Sequence, residues 1–337
     1  MQQQTIQQIE DACRRGEAPD FSRNFMEGPV LHLQRTFFPY GFPFEVHTNR
    51  EEVFALVDEL WAPFEKQFDT EPIRAEVMVN EKQISEFFPE PKHRLQGNII
   101  IGIADSDHHF LLDLNRQQSF AALTSGSLAY GTMLRYFMLD HLAPSHISAT
   151  YATSVHAGFV SLNGCGILLM GDSGAGKSTL SFACARAGWT YTADDSALLL
   201  GGEKGLKFAG NCHKVRLRPH ASELFPEVEG LPLTPRGGGK PSIELPTAPM
   251  NLRLAQSQEA HYIVFINRSH GGPTQLLPYS KEVVRYSARQ FMCGPAHSKE
   301  RRYKDIERLL DLDVFELRYT DLNEGIARLE ALVRNGS

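Results

Sequence analysis

Residues 171–179, GDSGAGKST, have the types and the spacing that bind phosphate. Gly171, Gly176, Lys177 and Ser178 satisfy the pattern G-x-x-x-x-G-K-[ST]. In such a loop the glycines let backbone N–H groups close around phosphates at a helix N-terminus, the lysine adds positive charge, and the hydroxyl ligates Mg²⁺. We call this segment the phosphate loop. The residues predicted to bind a nucleotide are Gly171, Asp172, Ser173, Gly174, Ala175, Gly176, Lys177, Ser178 and Thr179.

Two consecutive carboxylates follow the phosphate loop at a distance that brings them back to it. The sequence predicts a buried strand before the loop, a helix after it that ends at Gly188, and then the strand WTYTAD. A helix of about ten residues carries the chain roughly 15 Å away, and the strand returns it by roughly 20 Å. Asp194 and Asp195 are therefore expected at the phosphates, one holding the metal and the other reaching an acceptor hydroxyl. A turn or helix-capping role is the alternative.

An Asn-Gly dipeptide separates two apolar runs, SVHAGFVSL and CGILLMG. This is a strong signal for a two-residue hairpin with a type I′ turn. Leu162 then faces Cys165, and counting outward places His156 opposite Gly171. The pairing therefore predicts an imidazole beside the phosphate loop.

The hairpin, the histidine and the early Asp pair together resemble the HPr serine kinase/phosphorylase family, whose catalytic domain is related to phosphoenolpyruvate carboxykinase. SVHAGFV, GDSGAGKS and TADD occur here in that family's order and with its spacing, over residues 153–200. The resemblance implies an α/β fold: a C-terminal P-loop domain with a mixed sheet, preceded by a smaller α+β domain. It also implies a cytoplasmic phosphotransferase that uses ATP and Mg²⁺, and it leaves a homo-oligomer open, because members form hexamers.

The resemblance also implies roles for individual residues. Lys177 would bind the β and γ phosphates, and Ser178 and Asp194 would hold the metal. Asp195 would be the general base that deprotonates an acceptor serine, a contribution of about 10²- to 10⁴-fold in rate. His156 matches the active-site histidine of the family.

The phosphate acceptor is expected to be a serine of a peptide or small protein. The segment LKFAGNCHKVRLRP does not align with the Glu-containing stretch with which the family recognises its own protein substrate. Two alternatives stay open: carboxykinase-like transfer to a small carboxylic acid, and a non-catalytic ATP-sensing role in a peptide-modifying assembly. The first would need several convergent arginines and a second metal, and the second would need only the phosphate loop and magnesium.

Composition excludes several other classes. The 337 residues carry a formal net charge of −6 with both signs interspersed, which argues against a nucleic-acid partner. No apolar run approaches the roughly 20 residues that span a bilayer, so no membrane partner is expected. The five cysteines are scattered and never spaced Cys-x-x-Cys, which favours a reducing compartment without structural zinc.

The chain divides, by its pattern, into a flexible tail at 1–20, an α+β domain of unknown role at 21–145 and a catalytic domain at 146–337. Asn49 is expected to cap a helix, and a second helix is expected from Leu128 to Leu142, stopping before Pro144. The segment PRGGGKPS is either a linker or a loop that brings Arg236 or Lys240 to the transferred phosphoryl group. The segment DSDHHF is read as a turn rather than a metal site.

Overall fold

The computed structural model describes residues 11, 15, 29–201, 205–235, 242–268, 272–290 and 295–335. The chain forms two compact units, an N-terminal one made of Met1–Thr150, Pro235–Lys240 and Gly294–Lys299, and a C-terminal one made of Tyr151–Thr234, Pro241–Cys293 and Glu300–Ser337. Most of the tail predicted at 1–20 lies outside the described residues, as do Arg236 and Lys240. Within the described ranges, no helix is long and apolar enough to cross a membrane. The fold is mixed α/β with several mixed sheets.

The N-terminal unit is built on one mixed sheet in the order β1-β2-β3-β7-β6-β5-β4. Strands β2, β3 and β7 are parallel, and the remaining pairs are antiparallel. Its elements are β1 Leu33–Phe37, β2 Phe44–Thr48, α1 Glu51–Trp61, β3 Ile73–Asn80, β4 Lys92–Gln96, β5 Ile99–Ile103, β6 His109–Asp113, β7 Gln118–Thr124, α2 Gly131–Leu134 and α3 Leu142–Thr150. Helix α1 buries the apolar face that its periodicity predicts, with Val53, Leu56, Leu60 and Trp61 all buried.

The predicted capping role of Asn49 is wrong. Helix α1 has Arg50 at its N-cap position and no side-chain cap. The Asn49 amide instead exchanges two hydrogen bonds with the backbone of Val79, each 2.9 Å long. Because one amide can satisfy both the N–H and the C=O of a neighbouring strand residue, Asn49 continues the pairing of β2 with β3 beyond the end of the ladder.

The helix predicted from Leu128 to Leu142 forms only in part, and the prediction that it stops before Pro144 is wrong. The segment forms a 3-10 helix at Ser125–Tyr130, the short helix α2, and a π-helical turn at Arg135–Leu139. Helix α3 then begins at Leu142 and runs through Pro144. Proline is tolerated there because the backbone N–H groups of the first helical turn have no acceptor within the helix. The missing N–H of Pro144 therefore breaks no hydrogen bond.

The C-terminal unit holds a ten-stranded mixed sheet and a separate three-stranded sheet in the order β14-β16-β15. Its elements are β8 Ala152–Val155, β9 Gly158–Leu162, β10 Cys165–Met170, α4 Lys177–Arg186, β11 Thr190–Ala193, β12 Ala197–Leu200, β13 Lys207–Gly210, β14 Lys214–Leu217, β15 Leu233–Thr234, β16 Ser242–Pro246, β17 Arg253–Leu254, β18 Ser257–Arg268, β19 Gln275–Pro278, α5 Lys281–Gln290, α6 Lys299–Leu309, β20 Asp313–Tyr319 and α7 Leu322–Asn335.

Four strands of the larger sheet end at the same edge. The order β11-β9-β10-β18 continues to β20, and β9 runs antiparallel to both of its neighbours. Strand β18 is parallel to β10 and to β20. The carboxyl ends of β11, β10, β18 and β20 therefore share one edge with the start of β9. In open α/β sheets this is the edge where ligands bind.

The hairpin and the following helix form as the sequence predicts. Leu162 pairs with Cys165, and Asn163 and Gly164 both have positive φ, 52° and 84°, as a type I′ turn requires. Helix α4 ends in a Schellman arrangement, in which Gly188 adopts φ 92° and the Trp189 N–H bonds the Cys184 carbonyl at 3.1 Å. The turn after Gly188 directs β11 back toward the phosphate loop.

Candidate nucleotide-binding site

The phosphate loop connects β10 to α4 at the shared edge of the sheet. Gly171, Gly174 and Gly176 have φ values of 146°, 91° and 103°, in the region that side chains with a Cβ rarely adopt. Gly176 is the N-cap of α4 and has a left-handed conformation. The glycines of the motif are thus required by the path of the backbone, and they place the N-terminus of α4 inside the loop.

Lys177 is buried beneath the phosphate loop, with only 5% of its surface exposed. Its Nζ donates to the carbonyl of Gly171 at 2.8 Å and to that of Asp172 at 3.1 Å. Desolvation lowers the pKa of Lys177, while Asp195, Asp172 and Asp194 act in the opposite direction. An ammonium held by two carbonyl oxygens at this position can exchange them for phosphate oxygens without moving to a new site.

The Asp pair returns to the phosphate loop at the end of β11. The Ser178 hydroxyl donates to the carbonyl of Asp194 at 3.4 Å, which joins the first turn of α4 to the residue after the strand. The Asp194 carboxylate is buried and accepts the backbone N–H of Arg216 at 2.8 Å. The Asp195 side chain is 35% exposed. The two carboxylates therefore point in different directions, one into the protein and one toward solvent.

His156 contacts Asp195 rather than the backbone opposite Gly171. The β9–β10 ladder ends at the pair Gly158–Leu169, so the pairing predicted for His156 is not formed. Its Nδ1 lies 2.9 Å from the Asp195 carbonyl and 3.4 Å from Asp195 Oδ1. A carbonyl only accepts, so Nδ1 carries the proton in this contact. The imidazole of His156 is therefore part of the site because it contacts Asp195.

Gly158 allows α4 to lie close to β9. A Cβ at this position would meet the Ser181 hydroxyl at 2.2 Å and the Asp194 carbonyl at 3.4 Å. Any larger residue would push α4 away from β9, which begins two residues after His156. Gly158, the first residue of β9, therefore sets the distance between the helix and the sheet at the site.

Glu244 is a residue of this region that the sequence did not reveal. It lies on β16 in register with Arg216 of β14, and its carboxylate is 3.3 Å from Arg216 Nε and 3.4 Å from Lys214 Nζ. Because the Arg216 backbone also binds Asp194, Glu244 belongs to the layer of charges behind the Asp pair. Glu244 lies 28 residues away from Arg216 in sequence, so no local pattern indicates that the two are partners.

The remaining charged motif has a structural explanation. Asp105 accepts the backbone N–H groups of Asp107 and His108, each at 2.8 Å, and contacts the His108 ring at 2.9 Å. This is the turn that DSDHHF was expected to form. Across the described ranges, no group of three or more His, Cys, Asp or Glu side chains is arranged to hold a metal ion.

Comparison with solved structures finds distant structural neighbours. The HPr(Ser) kinase/phosphatase from Coxiella burnetii matches with a TM-score of 0.30 and 16% sequence identity, over 55% of this chain and 95% of that one. No family model and no curated protein matches the chain. The neighbour indicates a remote relation at most, and its TM-score is too low to transfer a fold or a function.

Proposed function

We propose that this chain is an ATP-dependent kinase that transfers the γ-phosphoryl group to a serine of a peptide or small protein. The observation that carries the proposal is the convergence of separate segments at one edge of the sheet. Lys177 and Ser178 come from the phosphate loop and Asp195 from the end of β11, with His156 in contact with Asp195. A nucleotide sensor needs only the phosphate loop and magnesium, whereas a kinase also needs an accessible base beside them.

The residues at this edge fit ATP with Mg²⁺. The phosphate loop offers an N-terminal helix turn and a buried ammonium whose present partners are carbonyl oxygens. Mg²⁺ is commonly held by one or two protein oxygens together with substrate phosphates, so a site of three or more acidic side chains is not required. We assign Ser178 and Asp194 as the protein ligands. Bound Mg²⁺–ATP would supply the phosphoryl group and neutralise its charge during transfer.

Asp195 is suited to act as the general base. It is the more exposed carboxylate of the pair, so an acceptor hydroxyl can approach it. The carboxylate would accept the hydroxyl proton, which makes the serine oxygen a better nucleophile. His156 holds the backbone of Asp195 through Nδ1 and lies near its carboxylate, so it positions the base.

The test is a comparison of Lys177→Ala and Asp195→Asn. Purified variants are added with radiolabelled ATP and Mg²⁺ to a cell lysate, and labelled proteins are identified by mass spectrometry. We expect Asp195→Asn to bind ATP within about threefold of wild type and to lose transfer by about 10²- to 10⁴-fold. Lys177→Ala is expected to lose both binding and transfer.

Full transfer by Asp195→Asn would refute the proposed base. Tight ATP binding by the wild-type protein, with no labelled product under conditions where a known kinase labels the same lysate, would favour the ATP-sensing alternative. Oxaloacetate with ATP and Mn²⁺ tests the carboxykinase-like alternative directly. Phosphoenolpyruvate formed in that assay would contradict the proposal.

A further inference from the structure

A cavity of about 500 Å³ adjoins the phosphate loop on the β18–β20 side of the sheet. Gly176 and Thr179 line it where α4 begins, and Tyr319 and Asp321 line it where β20 leads into α7. The Asp pair lies after β11, on the opposite side of β10 in the sheet order. The phosphate loop thus separates two regions, the predicted transfer site and this cavity.

The cavity has an apolar wall and a polar rim. Ala183, Leu224, Phe225 and Ile326 form the wall, and Leu224 is 39% exposed. The rim carries Arg186, Arg268, Asp321 and Asn323. The volume lies within the roughly 300–1,000 Å³ of small-molecule sites, and the lining combines apolar and polar side chains.

The two arginines of the rim have different surroundings. Arg186 is fixed by Glu227, with Nε 3.2 Å from Oε1, and by the Phe225 ring, whose centroid is 5.7 Å from its guanidinium carbon. Arg268 ends β18 beside the phosphate loop, and no carboxylate among the described residues forms an ion pair with it. A fixed planar guanidinium can stack on an aromatic base, and a cation without an acidic partner can bind a phosphate.

We infer that this cavity binds the nucleoside part of the nucleotide whose phosphates occupy the phosphate loop. The base packs between the apolar wall and the Arg186 guanidinium, and Arg268 faces the phosphate nearest the ribose. Because Gly176 and Thr179 belong both to the cavity and to the phosphate loop, one nucleotide can contact both. The inference rests on the proposed function, because it assumes that the phosphates of the nucleotide lie in the phosphate loop.

The test fills the cavity without touching the phosphate loop. Ala187 lines the cavity, is exposed, and is the C-cap of α4, so Ala187→Trp projects a large ring into the space at little cost to folding. Ala62 is the matched control, an exposed alanine at the C-cap of α1 in the N-terminal unit. Affinities for ADP and for pyrophosphate, both with Mg²⁺, are measured by calorimetry. Arg268→Gln serves as a second variant if Ala187→Trp melts at a lower temperature than wild type.

We expect wild type to bind ADP more tightly than pyrophosphate. Ala187→Trp should weaken ADP binding at least tenfold and leave pyrophosphate binding within twofold, whereas Ala62→Trp should change neither. Arg268→Gln should weaken ADP binding at least threefold. Equal affinity of wild type for the two ligands, or an Ala187→Trp variant that binds ADP normally, overturns the inference but leaves the kinase proposal standing. Failure of wild type to bind either ligand overturns both.

Discussion

His146 should make the stability of the N-terminal unit depend on pH. It lies on α3, is fully buried, and its Nε2 is 2.8 Å from the hydroxyl of Ser119 on β7. Nδ1 is buried with no hydrogen-bond partner. Burial lowers the pKa of His146 from 6.5 to about 3, because the charged imidazolium would lose its hydration without gaining a counter-charge.

Whether stability rises or falls with pH depends on which state, folded or unfolded, binds the proton. Below the unfolded pKa of 6.5 the unfolded chain takes up a proton at this position and the folded chain does not. The free energy of unfolding therefore falls as the pH is lowered, by about 1.4 kcal/mol per pH unit, until the folded group itself titrates near pH 3. Between pH 7 and pH 5 the loss is about 2 kcal/mol, which is large against the 5–15 kcal/mol typical of a domain.

The assay is urea unfolding at pH 7 and pH 5, with fluorescence from a tryptophan in the same unit. The chain has two tryptophans, Trp61 in α1 and Trp189 in the C-terminal unit, so a Trp189→Phe background leaves Trp61 as the reporter. His146→Gln keeps an acceptor for Ser119 and cannot be protonated. We expect the pH 7 to pH 5 change to be about 2 kcal/mol smaller in His146→Gln than in its parent. The other histidines are the same in both proteins, so identical changes would refute the argument.

Two further predictions concern the C-terminal unit. Gly158→Ala should lower its free energy of unfolding by about 1–3 kcal/mol, measured by Trp189 fluorescence, because the added Cβ meets the Ser181 hydroxyl at 2.2 Å. Adding Ser181→Ala should restore most of that loss, since this hydroxyl has no hydrogen-bond partner; no recovery would place the clash elsewhere. Glu244→Gln should cost about 1–3 kcal/mol in the same assay by leaving Lys214 and Arg216 without their shared carboxylate, whereas Glu223→Gln, on the surface, should cost little.

The sequence predicted the parts of the site whose residues lie close together in the chain. Glycine and lysine spacing indicated the phosphate loop, and Asn163 with Gly164 fixed the hairpin, because both signals depend on backbone conformations that few residues adopt. The return of Asp194 and Asp195 follows from the lengths of one helix and one strand. These elements span fewer than 50 residues, so their geometry needs little information from the rest of the chain.

Predictions failed where the folded unit sets a contact or a helix boundary that the local pattern does not record. Asn49 has the type and position of a helix cap, yet its amide binds Val79, which a neighbouring strand brings beside it. Pro144 is a helix breaker in an isolated segment, but it is tolerated in the first turn of α3. The contact of Asn49 with Val79 and the residue at which α3 begins are both defined only in the folded unit.

The sequence by itself determined which groups could bind phosphate and that an Asp pair would return to them, since backbone stereochemistry and element length decide both. The tertiary structure decided which of the two carboxylates is exposed, that His156 reaches Asp195, and that Glu244 lies behind them. It also decided that the ends of β18 and β20 form a cavity beside the phosphate loop. Those arrangements depend on strand order and side-chain packing between segments far apart in the chain, and no local pattern records them.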